Sequence, residues 1–271
     1  MTLFASRRRY LAWLLATALP WRTAGAAQPP LIFGVLNQQS PARTAERWNP
    51  VFQYIKSRTG LDVELRMGLT VRETNAMMGR GEFDFVFTNH NFRPEYDGTY
   101  KVIARLAGKP IFGVIAVRAE SPVKTLSDLS GKRVAFPSRE AFVAYAVPVM
   151  ELRRVKVDVL EVLASNQDSA LAQLKAGAVD AAAVNSRFLT QFSARQGFAY
   201  REIYTSEGFA EIPVIAHPRL STVVVTAVRL ALTEMKQDPR AQSLLEMSGF
   251  AGFEPATDSQ YDNVRRIYRG N

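Results

Sequence analysis

The sequence predicts an α/β fold of two doubly wound lobes joined by a hinge that the chain crosses twice. Three observations carry that prediction. Short apolar runs alternate with segments of helical period, and the connections between them are brief. Several runs, such as 31–36 (LIFGVL) and 83–87 (FDFVF), are nearly continuously apolar, as strands covered on both faces must be. The alternation also starts afresh after a β-branched run at 111–117, and the chain turns back through Pro213 into 214–216.

The first 26 residues are expected to be a leader rather than part of the fold. Arg7, Arg8 and Arg9 precede an uncharged apolar run at 10–21, and small residues follow at 23–27. That is the layout of a secretory signal, with an apolar run too short to span a membrane. Residues 6–11 (SRRRYL) also fit the twin-arginine pattern, so export into the periplasm is expected, possession of an uncleaved anchor being the alternative. The leader carries four arginines and no acid, so its removal lowers the formal charge from +9 to +5. A charge that small over a whole surface argues against nucleic acid and for anionic small partners. The chain has no cysteine, which excludes a disulfide framework, a thiol nucleophile and a lipid-anchoring cysteine.

After the leader the elements follow in order. Strand 31–36 leads through a polar loop to a helix opened by Pro41 and stopped by Gly60, with Trp48, Phe52 and Ile55 on its apolar stripe. Strand 63–67, helix 70–78 and strand 83–87 complete a βαβαβ unit. Strands 102–106 and 111–117 come next, then a loop with a short helix entered at Thr125. A second unit follows: strand 133–136, helix 140–152, strand 157–162, helix 169–176, strand 181–184, helix 186–196. Strand 200–204 and the returning strand 214–216 precede a helical tail at 222–236, 241–247 and 259–268. The expected organisation is residues 27–114 with 212–271 as one lobe and 115–211 as the other. Ligands of open α/β sheets bind beyond the carboxyl ends of strands. Two such sheets facing one another across a hinge suit a protein that closes on its ligand.

Residues 133–153 (RVAFPSREAFVAYAVPVMELR) are the focus of the second lobe. A strand that breaks at Pro137 and Ser138 and turns into a helix leaves free N–H groups at the helix start, a site suited to an anion. Ser138 adds a hydroxyl, Arg139 a charge, and the N–H groups of Glu140 and Ala141 onward add donors. The plainer alternative makes Ser138 an N-cap and Glu140 a first-turn acid. Pro148 is expected to kink the helix or end it early. Other strand ends supply Asn37 and Ser40, Asn89 and His90, and Asn185, whose amide suits a polar ligand or caps the next helix.

Four segments, FGVLNQQSPARTAERWNPVFQYIKSRTG (33–60), GEFDFVFTN (81–89), SPVKTLSDLSGKRVAF (121–136) and DSALAQLKAGAVDAAAV (168–184), occur in an order and spacing that resemble a known family. The chain looks like the periplasmic substrate-binding proteins of ABC importers, of the phosphonate, phosphate and phosphite group, over about residues 31–250. The resemblance implies a type II periplasmic binding fold, a small oxyanion as ligand and an ABC permease as partner. Phosphonate-binding members carry a Ser-Thr-Ser cluster at the turn of the second lobe; here that segment is residues 137–142, with one hydroxyl, Ser138. A family histidine after the next strand is replaced by Asn166-Gln167-Asp168. An acid that relatives use to meet a ligand amine is matched by Glu207.

Enzyme readings lack their residues. Two histidines far apart and no cysteine give no zinc-ligand spacing. Neither a Gly-x-Ser-x-Gly elbow nor a Gly-rich phosphate loop is present. Ser121 and Lys124 match a Ser-x-x-Lys pattern, but its Lys-Thr-Gly partner is missing. The sequence therefore predicts a monomeric, cofactor-free, non-enzymatic binding protein that captures a small oxyanion for a permease. The alternative is the same fold reporting occupancy to a sensor kinase. Four or five charge-assisted hydrogen bonds of about 1.5–3 kcal/mol each make the roughly 8 kcal/mol of micromolar binding attainable.

Overall fold

The computed structural model describes residues 29–36, 41–95 and 97–270. The predicted leader, Asn37 and Ser40 lie outside them.

The first unit runs β1 (Leu31–Val35), α1 (Pro41–Thr59), β2 (Val63–Arg66), α2 (Val71–Gly79) and β3 (Phe85–Phe87). β1 pairs in parallel with both β2 and β3, as a βαβαβ unit requires. α2 begins where Thr70 accepts a hydrogen bond from the Glu73 N–H, an ordinary side-chain cap. β4 (Lys101–Leu106) then runs along the far side, and the chain crosses into β5 (Gly113–Arg118).

The second unit is β6 (Arg133–Phe136), α3 (Val147–Arg154), β7 (Leu160–Leu163), α4 (Gln167–Lys175), β8 (Ala181–Asn185) and α5 (Ser186–Gln196). β6 pairs in parallel with β7 and β8, and β5 lies antiparallel to β8. β9 (Tyr200–Thr205) closes this five-stranded sheet, whose order is β7-β6-β8-β5-β9. The chain returns as β10 (Pro213–Ala216), then α6 (Thr222–Glu234), α7 (Gln242–Ser248), β11 (Phe253–Pro255) and α8 (Asp262–Arg269). β10 and β11 complete a six-stranded sheet of order β11-β4-β10-β3-β1-β2. The two crossings touch through antiparallel Ile111 and Phe209, each N–H donating to the other's carbonyl at 2.9 Å.

Sequence and structure agree on element type, and they differ where proline and packing decide. β11 went unpredicted because Phe253-Glu254-Pro255 is too short for a period; it exists by pairing with β4. The predicted helix 140–152 is split: residues 142–146 form one wide π turn, and α3 starts only at Val147. Pro148 explains the split. It has no N–H to give the Ala144 carbonyl and its ring crowds that oxygen, so the preceding turn widens. Accordingly the Ala146 N–H reaches the Ala141 carbonyl at 3.1 Å, five residues back.

Four apolar clusters hold the molecule. One packs Phe33, Trp48, Phe52 and Phe85 against Val228 and Leu232 of α6 and Leu244 and Leu245 of α7. Two flank the five-stranded sheet, centred on Leu171 with Phe192 and on Phe136 with Leu152. The fourth belongs to both sheets: Phe142, Val143 and Val147 join Phe83, Phe92, Tyr261 and Val264. The two halves thus meet through shared core on one side of the hinge. No helix among the described residues is long and apolar enough to cross a membrane.

Candidate functional site

The carboxyl end of β6 reaches this boundary. Pro137 is buried, Ser138 half-buried, and Arg139 and Glu140 exposed. The Ala141 N–H donates weakly to the Ser138 carbonyl at 3.4 Å, and the helix then begins at Phe142 with no side-chain cap. Ser138 is therefore not the N-cap. The N–H groups of the first turn keep no side-chain acceptor, although Phe142, Val143 and Ala144 are buried. Helix starts in that condition attract negative charge. The turn can sit this deep because residue 113 is glycine: a Cβ there would lie 2.1 Å from the Val143 carbonyl oxygen.

Across the boundary, the chain leaves β3 through Thr88, Asn89, His90 and Asn91. His90 has φ 57°, a left-handed conformation histidine tolerates, and is 1% exposed. Its Nε2 sits 2.6 Å from the Ala210 carbonyl, which makes Nε2 the protonated nitrogen, and its ring lies on Phe142. Burial lowers its pKa to about 4, so His90 is a neutral group. Asn91 donates to Asn75 at 2.8 Å, while its own buried Oδ1 has no partner among the described residues. Such an acceptor is uncommon in a folded interior. Asn89 is half-buried beside it.

The remaining predicted residues are distributed. Asn185 caps α5, accepting from the Arg187 N–H at 2.9 Å, and its N–H donates to Gln167 at 2.7 Å. Asn166 caps α4 through the Ser169 N–H. Arg139 pairs with Glu161 at 3.1 Å, an exposed contact that leaves other guanidinium N–H groups open. Glu207 is exposed and pairs with Arg266 of α8 at 3.2 Å.

Sequence reasoning passed over three residues. Glu211, 4% exposed, is the buried acid of the return crossing, and Arg187 forms a close ion pair with it. Arg187 stands two residues past the β8 strand end, so the strand-end rule applied to Asn185 reaches it. Glu211 precedes an apolar strand, a position that in sequence looks like a surface acid. Arg93 donates to the Arg139 carbonyl at 3.3 Å, tying the loop after β3 to the turn after β6. No cluster of three or more metal-ligating side chains occurs among the described residues.

A family model described as "ABC transporter, phosphonate, periplasmic substrate-binding protein" matches residues 33–261. No curated protein sequence matches the chain. Among solved structures, a Xanthomonas citri protein bound to ATP is similar with a TM-score of 0.73 at 18% identity, over 89% of this chain and 96% of that one. PhnD1 from Prochlorococcus marinus in complex with methylphosphonate gives a TM-score of 0.70 at 15% identity, over 88% of this chain and 97% of that one. A binding protein component of an ABC phosphonate transporter from Pseudomonas aeruginosa gives 0.68 at 15% identity, over 89% and 85%. At these identities the likeness speaks to fold, which is the two-lobed α/β architecture described above.

Proposed function

Because this chain belongs to the family of periplasmic substrate-binding proteins of phosphonate ABC transporters, we propose that it captures a small oxyanion of the phosphonate or phosphate class and hands it to an ABC permease. The family is one of solute carriers rather than enzymes. The observation that carries the ligand class is the uncapped helix start at Phe142, buried where the two sheets meet. Its free N–H groups, Ser138 and Arg139 form the anion's seat. Asn89 and the unpartnered Oδ1 of Asn91, on the loop after β3, are the acceptors assigned to a ligand hydroxyl or a protonated oxygen.

In this reading residues 27–114 with 212–271 and residues 115–211 are the two jaws, and the β3 loop already meets the seat through His90 on Phe142 and Arg93 on the Arg139 carbonyl. His90 and Asn185 position these loops rather than carry charge. Asn37 and Ser40, which follow β1 in the sequence, are further candidate ligand contacts, and Glu207 is a rim residue. Residues 1–26 direct export. The reading is supported by structures of similar fold, one from Xanthomonas citri bound to ATP and one from Prochlorococcus marinus in complex with methylphosphonate.

Calorimetric titration with methylphosphonate, phosphate, phosphite, methanesulfonate and acetate tests the proposal. At least one phosphorus oxyanion is expected to bind in the micromolar range. Ser138→Ala with Arg139→Gln is expected to weaken it about tenfold or more, one or two charge-assisted hydrogen bonds being lost. Binding of none of the five below millimolar overturns the ligand class.

A further inference from the structure

Residues of α3 and α8 line an open groove of about 670 Å³ at the boundary. That size falls in the range of sites for small organic molecules, about 300–1,000 Å³. Five guanidinium groups line it, Arg93, Arg139, Arg153, Arg154 and Arg269, and no carboxylate does. Its floor is apolar: Ala146, Val149, Met150 and Ile267, with the Tyr145 and Tyr268 rings beside them.

Charge in the groove is only partly balanced. Glu161 holds Arg139, Glu151 holds Arg154 and Asp97 holds Arg269, each from outside the lining. Arg153 is exposed and has no acidic partner among the described residues, and Arg93 is spent on a carbonyl. Two positive charges therefore remain uncompensated.

The arrangement is also polar at its ends. Arg139 and Arg93 stand together where the helix begins. Arg153 and Arg154 occupy the last turn of α3, whose backbone rises about 10 Å from Val147 to Arg154 at 1.5 Å per residue. The apolar floor lies between.

We propose that this groove is a second ligand site, for an elongated organic dianion with an acidic group at each end and an apolar body between. Guanidinium pairs suit carboxylate or phosphonate termini, and the floor covers a methylene chain. An occupant touches Arg93 and Tyr268 on the six-stranded-sheet side and α3 on the other, so it bridges the two halves. The site stands apart from the oxyanion seat, with Arg139 as the single shared residue.

The test is calorimetric titration of the full mature protein with sebacate, with decanoate, and with methylphosphonate in separate experiments. Sebacate is expected to bind at least tenfold more tightly than decanoate and to weaken as sodium chloride is raised. Arg153→Gln with Arg154→Gln is expected to bring sebacate down to the decanoate level, with the methylphosphonate titration unchanged. Met150→Glu, which places a carboxylate on the floor, is expected to abolish sebacate binding; a thermal melt matching the parent protein shows that each variant folds. Equal affinity for the two acids, no binding of either, or sebacate affinity indifferent to the arginine pair overturns the proposal. Sebacate binding with none of the five oxyanions of the earlier titration bound keeps the groove and removes the oxyanion seat.

Discussion

The His90 imidazole lies against the Phe142 ring with centroids 5.3 Å apart and planes 24° from parallel. One ring comes from the loop after β3, the other from the helix start after β6, so the two sheets meet through a buried stack. His90 is fixed from behind by the Ala210 carbonyl. Phe142 is enclosed by Phe209 and Tyr268 as well.

His90 makes stability depend on pH. Its folded pKa of about 4 lies below the ordinary 6.5. The unfolded chain takes up the proton first as pH falls, so stability is full above about 6.5 and declines toward 4. Between pH 7 and 5 the loss is about 2 kcal/mol, taking 1.36 kcal/mol per unit. Urea unfolding of the parent and of His90→Gln at the two pH values is expected to show that difference in the parent alone.

Phe142→Ala removes a side chain 2% exposed from the core that both halves share. A loss of about 3–5 kcal/mol is expected, the usual result of emptying a buried aromatic site. Denaturant midpoints measure it; a change under 1 kcal/mol contradicts the shared core.

Gly113→Ala drives a Cβ into the Val143 carbonyl oxygen, a backbone atom that no rotamer change removes. The helix start must move off β5, at about 1–3 kcal/mol. Weaker phosphonate binding is expected along with it, by at least as much as the Ser138 and Arg139 changes cause.

Arg187 and Glu211 form a coupled pair. Arg187→Met leaves the Glu211 carboxylate, 4% exposed, without its cation, and a loss of about 1–3 kcal/mol is expected because Arg187 itself is exposed. Adding Glu211→Gln is expected to restore most of it. A double-mutant cycle on urea unfolding free energies gives the coupling; additivity of the two changes refutes it.

Much of the fold was legible. The apolar runs of β1, β3, β6 and β8 and the stripe of α1 are local patterns that only a strand or an amphipathic helix satisfies. Pro148 announced a disturbance but not its form, since a wide turn and a broken helix relieve the same clash. The helix start after β6 was readable as an anion seat, while the identity of its cap was not. Glu211 and Glu207 look alike in sequence, yet one is sealed beneath Arg187 and the other lies open to solvent.

By itself the sequence determined the order of strands and helices apart from β11, because backbone geometry ties hydrophobic period to element type. It also determined the chemistry the chain lacks, having no cysteine and two distant histidines. Only the tertiary structure decided that His90 is a neutral wedge, that Gly113 admits a helix start, and that five arginines gather around one groove. Those outcomes depend on which residues far apart in the chain share a volume, and on desolvation once they do, neither of which a local pattern encodes.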